Sequence, residues 1–152
     1  MHNCKYFLYI LYEEDNYLCD FNHENTEFKS LLSVATDFKP IFETMHNCSW
    51  EIENQMRTNF YLTKRKQFFQ DIEDKNNYDL IYFDAFGFPL QPELWSEVIF
   101  EKMYEALLPN GVLVTYACRT PIRKAMLNAG FSVEKLPGAP GKREMLRATK
   151  KP

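Results

Sequence analysis

The sequence predicts an α/β fold with a mostly parallel sheet, and three observations carry that prediction. Short apolar runs alternate with segments of helical spacing through the second half of the chain. Proline and glycine punctuate those segments where helices begin and end. Only a short turn separates the last two strand-like runs.

The elements follow in chain order. "YFLYILY", residues 6–12, is aromatic and β-branched and is closed by Glu13, Glu14 and Asp15, so it reads as a first strand. From Glu27 to His46, apolar residues recur at Phe28, Leu31, Leu32 and Ala35, a helical spacing that Pro40 breaks into two helices. "NFYLTKRKQFF", residues 59–69, reads as a second strand. "YDLIYFDAF", residues 78–86, is apolar on both faces, as a parallel strand covered by helices on both sides would be. Pro92 opens a helix running to Leu108, with Leu94, Trp95, Val98, Ile99, Met103 and Leu107 on its apolar side, and "PNG" stops it. "VLVTYA" is the next strand. Thr120 caps the following helix, Pro121 takes its first position and Gly130 ends it. "FSVEKLP", the turn "GAPGK" and "REMLRATK" form a closing hairpin.

Strands joined through helices are expected to be parallel, and strands joined by a short turn antiparallel. This is the layout of the Rossmann-like sheet of class I methyltransferases. Such sheets bind ligands outside the carboxyl ends of their parallel strands. Asp84 falls at one of those ends.

Bulk properties narrow the class. A chain of 152 residues with 45% hydrophobic and 26% charged residues suits one globular domain, residues 1–152. Aromatic residues, at 16%, suit a well-packed core. The net charge of −3 conceals an asymmetry: residues 119–152 hold nine Lys and Arg against two acidic residues. Such a basic end is either a polyanion-facing patch or a solvated tail. Cys4, Cys19, Cys48 and Cys118 lie far apart, with no C-x-x-C and no metal-ligand spacing, as expected of free thiols in a reducing cytoplasm. No run approaches the roughly 20 apolar residues of a membrane span. No metal site is expected.

The candidate site gathers at the strand ends. Asp84 is either a cap on its own loop or a carboxylate facing a substrate amine or a cofactor. Phe86, Phe88 and Pro89 would form an apolar wall beside it, and a low-dielectric wall strengthens a charge contact. Glu13 or Glu14, closing the first strand, is placed like the acidic residues that bind ribose hydroxyls, though solvated turn residues look the same. Arg119, Arg123, Lys124, Lys142 and Arg143 flank the same sheet edge as candidate phosphate contacts. For Lys124, Lys150 and Lys151, plain helix-surface charge is the competing reading. No G-x-S-x-G, Walker loop, H-E-x-x-H or EF-hand is present. Neither is a G-x-G-x-x-G, and that counts against a nicotinamide-dependent dehydrogenase on a similar sheet.

"YDLIYFDAFGFPLQPELWSEVIFEKMYEALLPNGVLVTY", followed by "IRKAMLNAGFSVEKLPGAPGKREMLRA", resembles the MnmC-like methyltransferase domain of the bacterial tRNA 5-methylaminomethyl-2-thiouridine enzymes, in the form without a fused FAD oxidase domain. The resemblance is specific over residues 78–149 and looser through "FETMHNCSWEIENQMRTNFYL". It implies an S-adenosylmethionine-dependent enzyme that methylates the primary amine of a 5-aminomethyl group on a tRNA wobble uridine. It implies Asp84 as the catalytic carboxylate, which binds the amine and helps remove its proton. Glu13, Glu14, Asp84 and Phe86 would face the cofactor. Phe88, Pro89, Arg119, Arg123, Lys124, Lys142 and Arg143 would face tRNA.

The sequence departs from the family in places. The family's glycine-rich loop has no counterpart in these residues, whose first glycine is Gly87. Gln67 and Phe68 stand near an expected Gly-Asp pair, and "ACRTPIRKAM" replaces a glycine-containing string. These departures predict a weakened hold on the cofactor, a sheet lacking the glycine-loop strand, and unpaired strand edges near residues 78–86 that invite dimerisation. They also raise an alternative, a non-catalytic tRNA-binding or partner-binding remnant of the same family.

Overall fold

The computed structural model describes residues 6–7, 38–85, 87–138 and 143–152, with the backbone alone at residues 6–7. The chain divides into two compact units. One holds residues 1–9 and 67–152, and the other holds residues 10–66.

The larger unit is built on a five-stranded sheet. Its strands are β1 (Tyr6–Phe7), β4 (Tyr78–Tyr82), β5 (Leu107–Thr115), β6 (Ser132–Pro137) and β7 (Glu144–Thr149), in spatial order β1-β4-β5-β7-β6. β1, β4 and β5 are mutually parallel, and β7 runs antiparallel to both β5 and β6. The expected mostly parallel sheet with a closing antiparallel hairpin is what the chain forms. The expectation of an unpaired edge beside β4 is corrected at the described positions. Tyr6 pairs with Leu80 and Phe7 with Ile81 on one side, and β5 pairs on the other. Residues 8–12 of the expected first strand lie outside the described residues, as do Phe28, Leu31, Leu32 and Ala35.

Two helices supply the core. The segment expected as one helix from Pro92 to Leu108 is instead a 3-10 turn, Pro92–Trp95, followed by helix α2, Glu97–Ala106. Ser96 separates them with extended backbone, ψ 161°. That break shifts the helical phase, so Phe100 is fully buried while Val98, expected inside, is 59% exposed. Ile99, Met103 and Ala106 complete the buried face. Fully burying each large side chain contributes about 1.5–3 kcal/mol.

Helix α3, Thr120–Asn128, begins with Thr120 inside the helix, and Arg119 takes the cap position assigned to Thr120 from sequence. Gly130 ends it as expected, with φ 102°. Its N–H donates to Leu127 O and that of Phe131 donates to Met126 O, the paired bonds of a left-handed helix terminus.

"PNG" lies within β5 as a bend rather than ahead of it. Asn110 has φ 65°, and the β4–β5 register jumps from Tyr78↔Leu107 to Leu80↔Val112 across it. A Cβ on Gly111 would stand 2.8 Å from Leu108 O, which is why the bend needs glycine there.

The smaller unit contains helix α1, Lys39–Asn47, with Pro40 in its first turn, and a hairpin of β2, Glu53–Arg57, and β3, Phe60–Thr63; the helix expected before Pro40 lies outside the described residues. The stretch 59–69, expected as a strand of the main sheet, is therefore corrected. Its first part pairs antiparallel with residues 53–57 in a separate two-stranded sheet, and Phe69–Asp71 form a 3-10 turn. The partner strand "ENQMR" is polar and its side chains are half-buried or exposed, so it carries no apolar signature. Buried Lys64 donates to His46 O at 2.8 Å, near the carboxyl end of α1, with its ammonium 4.8 Å from the Trp50 ring.

Candidate functional site

Asp84 stands just past the carboxyl end of β4, and its neighbours explain why it is held there. The buried and exposed residues alternate: Ile81 and Phe83 are buried, Tyr82 and Asp84 exposed. Phe83 N–H donates to Val114 O at 2.9 Å, which extends the parallel ladder by one residue. The Phe83 ring is the hub of an aromatic cluster. It lies 5.2 Å from Phe69, 5.2 Å from Trp95 edge-on, and 5.3 Å from Phe100. Such pairs add about 0.5–1.5 kcal/mol each beyond area burial. The residue preceding the carboxylate is thus anchored on three sides, and Asp84 projects from a rigid base.

The loop after Asp84 is folded back by Leu90 N–H donating to Gly87 O at 2.8 Å. It presents Phe88, half-buried, and Pro89, exposed. The Arg119 guanidinium sits 5.7 Å from the centre of the Phe88 ring. That contact joins the loop after β4 to the loop after β5, so two sequence-predicted site residues come together.

The loop after β5 is held by Ala117 N–H, which donates to Thr115 Oγ1 at 3.2 Å. Burial pushes the Cys118 thiol above its ordinary pKa; the Glu144 carboxylate adds to that and Lys135 opposes it. A thiol so shifted is a poor nucleophile at neutral pH.

Arg123 and Lys124 are exposed on the first turns of α3, and Arg143 is exposed just before β7. Because β7 runs antiparallel to β5, its start lies at the same sheet edge as Asp84 and Arg119. The two acidic residues within residues 119–152 are paired elsewhere: Glu144 with Lys135 at 2.8 Å and Glu134 with Arg147 at 2.7 Å. Among the described residues, Arg119, Arg123, Lys124 and Arg143 form no ion pair. The basic asymmetry of the sequence thus becomes a cluster of available cations on one edge.

Lys150 is not helix-surface charge. It follows β7, and its Nζ donates to Leu107 O at 2.7 Å and to Asn76 Oδ1 at 2.9 Å. It caps the carboxyl end of α2, where Asn76 and Asn77 N–H also donate to Glu105 O and Ala106 O. Sequence reasoning missed this role, because residue 76 and residue 150 meet only in the folded chain.

Glu13, Glu14, Phe86 and Lys142 lie outside the described residues. A solvent-open depression of about 310 Å³ is lined by Ile72, Glu73, Asp74, Lys75, Lys102 and Glu105. Those residues cluster around the amino end of β4, at the other end of that strand from Asp84. Among the described residues no group of three His, Cys, Asp or Glu could hold a metal, and no helix is long and apolar enough to cross a membrane.

A parallel sheet closed by an inserted antiparallel strand, with a carboxylate at a parallel strand's carboxyl end, defines a class I methyltransferase fold. Residues 30–151 match the family of S-adenosyl-L-methionine-dependent methyltransferases, and the chain belongs to that family. Its cofactor is S-adenosylmethionine. Among curated relatives, the chain is 34% identical over 77 residues to the tRNA 5-methylaminomethyl-2-thiouridine biosynthesis bifunctional protein MnmC of Aeromonas hydrophila, covering 49% of this chain and 12% of that protein. It is 38% identical over 69 residues to the MnmC protein of an Azoarcus species, covering 45% of this chain and 11% of that one. The matched segment is therefore about one ninth to one eighth of those relatives' length. Among solved structures, MnmC2 from Aquifex aeolicus superposes with a TM-score of 0.63 at 22% identity, over 78% of this chain and 39% of that one.

The chemistry of the residues described at this edge suits the positively charged sulfur of that cofactor. It offers one exposed carboxylate for a cationic centre and, on the loop that follows it, the half-buried ring of Phe88.

Proposed function

We propose that the chain methylates the primary amine of a 5-aminomethyl group on a tRNA wobble uridine, with Asp84 as the catalytic carboxylate. The observation that carries this reading is the exposed Asp84 carboxylate, held by the Phe83 cluster at the carboxyl edge of a family-matched sheet. The names of the curated relatives supply the tRNA substrate class.

S-adenosylmethionine, when bound, supplies a methyl group at a positively charged sulfur. The acceptor amine must be neutral to attack it, and an alkylamine titrates near roughly 10, as lysine does. Asp84 Oδ accepts a hydrogen bond from the ammonium and orients its nitrogen. It then takes the proton and releases it to water at the exposed edge. Placement of the two reacting atoms supplies much of the acceleration. Phe88 and Pro89 wall one side of the amine, and Arg119, Arg123, Lys124 and Arg143 hold phosphates nearby.

Transfer of a labelled methyl group to tRNA bearing 5-aminomethyl uridine tests this. Incorporation is expected with the native chain, and Asp84→Asn is expected to lower the rate about 100-fold or more, the scale of a positioned acid–base group. Tight tRNA binding with no incorporation would instead support a non-catalytic tRNA-binding role. Incorporation unaffected by Asp84→Asn would overturn the role of the carboxylate.

A further inference from the structure

We propose that Tyr116 is a stacking platform for one unstacked RNA base, placed level with Asp84 at the carboxyl edge of the sheet. This deepens the tRNA reading above and rests on it.

Register and burial carry the proposal. Tyr82 pairs with Val114, and Ile81 with Leu113. Ile81, Phe83, Leu113 and Thr115 are buried, and their face is the one that meets α2. Tyr82 lies on the opposite face, and continuing the alternation just past the two strand ends puts Asp84 and Tyr116 on that face as well. Carrying the register two residues past Tyr82↔Val114 sets Asp84 opposite Tyr116. On the other side of β5, Thr115 pairs with Leu146, which sets Met145 next to Tyr116, and Met145 pairs with Leu136. The last row of this face therefore reads Asp84, Tyr116, Met145, Leu136. It is a carboxylate, an aromatic ring and a half-buried apolar shelf.

The exposures decide what this row is for. Tyr116 is 49% exposed and Tyr82 is 57% exposed. Two large aromatic residues, one on β4 and one just after β5, thus present ring surface to solvent. Exposed aromatic residues on a sheet are a recurrent means of holding unstacked bases, since every base has a flat π-face. Charge complementarity selects a nucleic acid as the occupant. Arg119, Arg123, Lys124 and Arg143 lie along the same edge, and among the described residues none of them forms an ion pair. A base lying on Tyr116 would direct a substituent on its edge toward Asp84, as an exocyclic amine requires.

The test is binding of a short fluorescent oligouridylate, followed by anisotropy across a salt series, to the native chain and to Tyr116→Ala, Tyr116→Phe and Arg143→Ala. Tyr116→Ala is expected to weaken binding about tenfold or more while leaving the salt slope unchanged, because a stack carries no charge. Tyr116→Phe is expected to bind within about twofold of the native chain, since the ring is kept. Arg143→Ala is expected to lower the salt slope by about one. Tyr116 is exposed, and unchanged circular dichroism of Tyr116→Ala will confirm that the fold is kept. Salt-dependent binding that Tyr116→Ala leaves unaltered overturns the stack alone. Absence of salt-dependent binding by the native chain overturns the tRNA reading beneath it.

Discussion

At the scale of single residues, the chain uses lysine twice for the same local problem. The last carbonyls of a helix have no partner within it. Lys64 supplies one for α1 and Lys150 for α2, each at 2.7–2.8 Å. Burial holds the Lys150 ammonium below its ordinary pKa, with Glu105 opposing that shift. Lys150→Met keeps the length of the side chain and removes the donor, so Leu107 O and Asn76 lose their partner. The expected cost is about 1–2 kcal/mol, read as a lower urea midpoint at unchanged slope. An unaltered midpoint would show that water replaces the cap without loss. Asp84 differs from these residues. Its position was legible in sequence because an apolar run ending in a charge is unusual. The roles of Lys64 and Lys150 were not legible, because neither partner lies near in sequence.

At the scale of elements, the closing hairpin carries a carboxylate whose pairing depends on pH. Lys135 bonds to Glu144 and holds its carboxyl below the ordinary value of 4.5, with Arg143 lowering it further. A carboxyl whose pKa is depressed in the folded state adds stability above its unfolded pKa. That stability is lost as pH falls through the folded value. The hairpin between β6 and β7 is therefore expected to loosen below about pH 4.5, before the core strands open. Amide exchange across Leu136–Arg147 in acid would show it, and protection that persists there would contradict it. Elements were legible in sequence where one face is apolar: α2, α3, β4 and β5 all fall near their expected places. The break at Ser96 and the hairpin β2–β3 were not. A break of helix at one extended residue leaves composition unchanged, and a strand such as "ENQMR", exposed or half-buried throughout, has no apolar alternation to read.

At the scale of the whole molecule, the core beneath the candidate site is a single aromatic cluster centred on Phe83. Phe83→Ala is expected to cost about 3–5 kcal/mol, measured as a lowered unfolding midpoint, because the cavity would open among three rings that cannot all collapse into it. A cost below about 1 kcal/mol would mean that the cluster repacks freely. The same change is expected to impair methyl transfer, since Asp84 is positioned by the residue before it. By itself the sequence determined the α/β class, the parallel order with its closing hairpin, and the placement of Asp84 at a strand end. Those features follow from local periodicity and from the length of connections, which are written along the chain. Only the tertiary structure decided that β1 pairs beside β4, that Arg119 meets Phe88, and that Tyr82 pairs with Val114. Each joins residues more than 30 positions apart, and such pairings depend on strand register and packing, which no local pattern encodes.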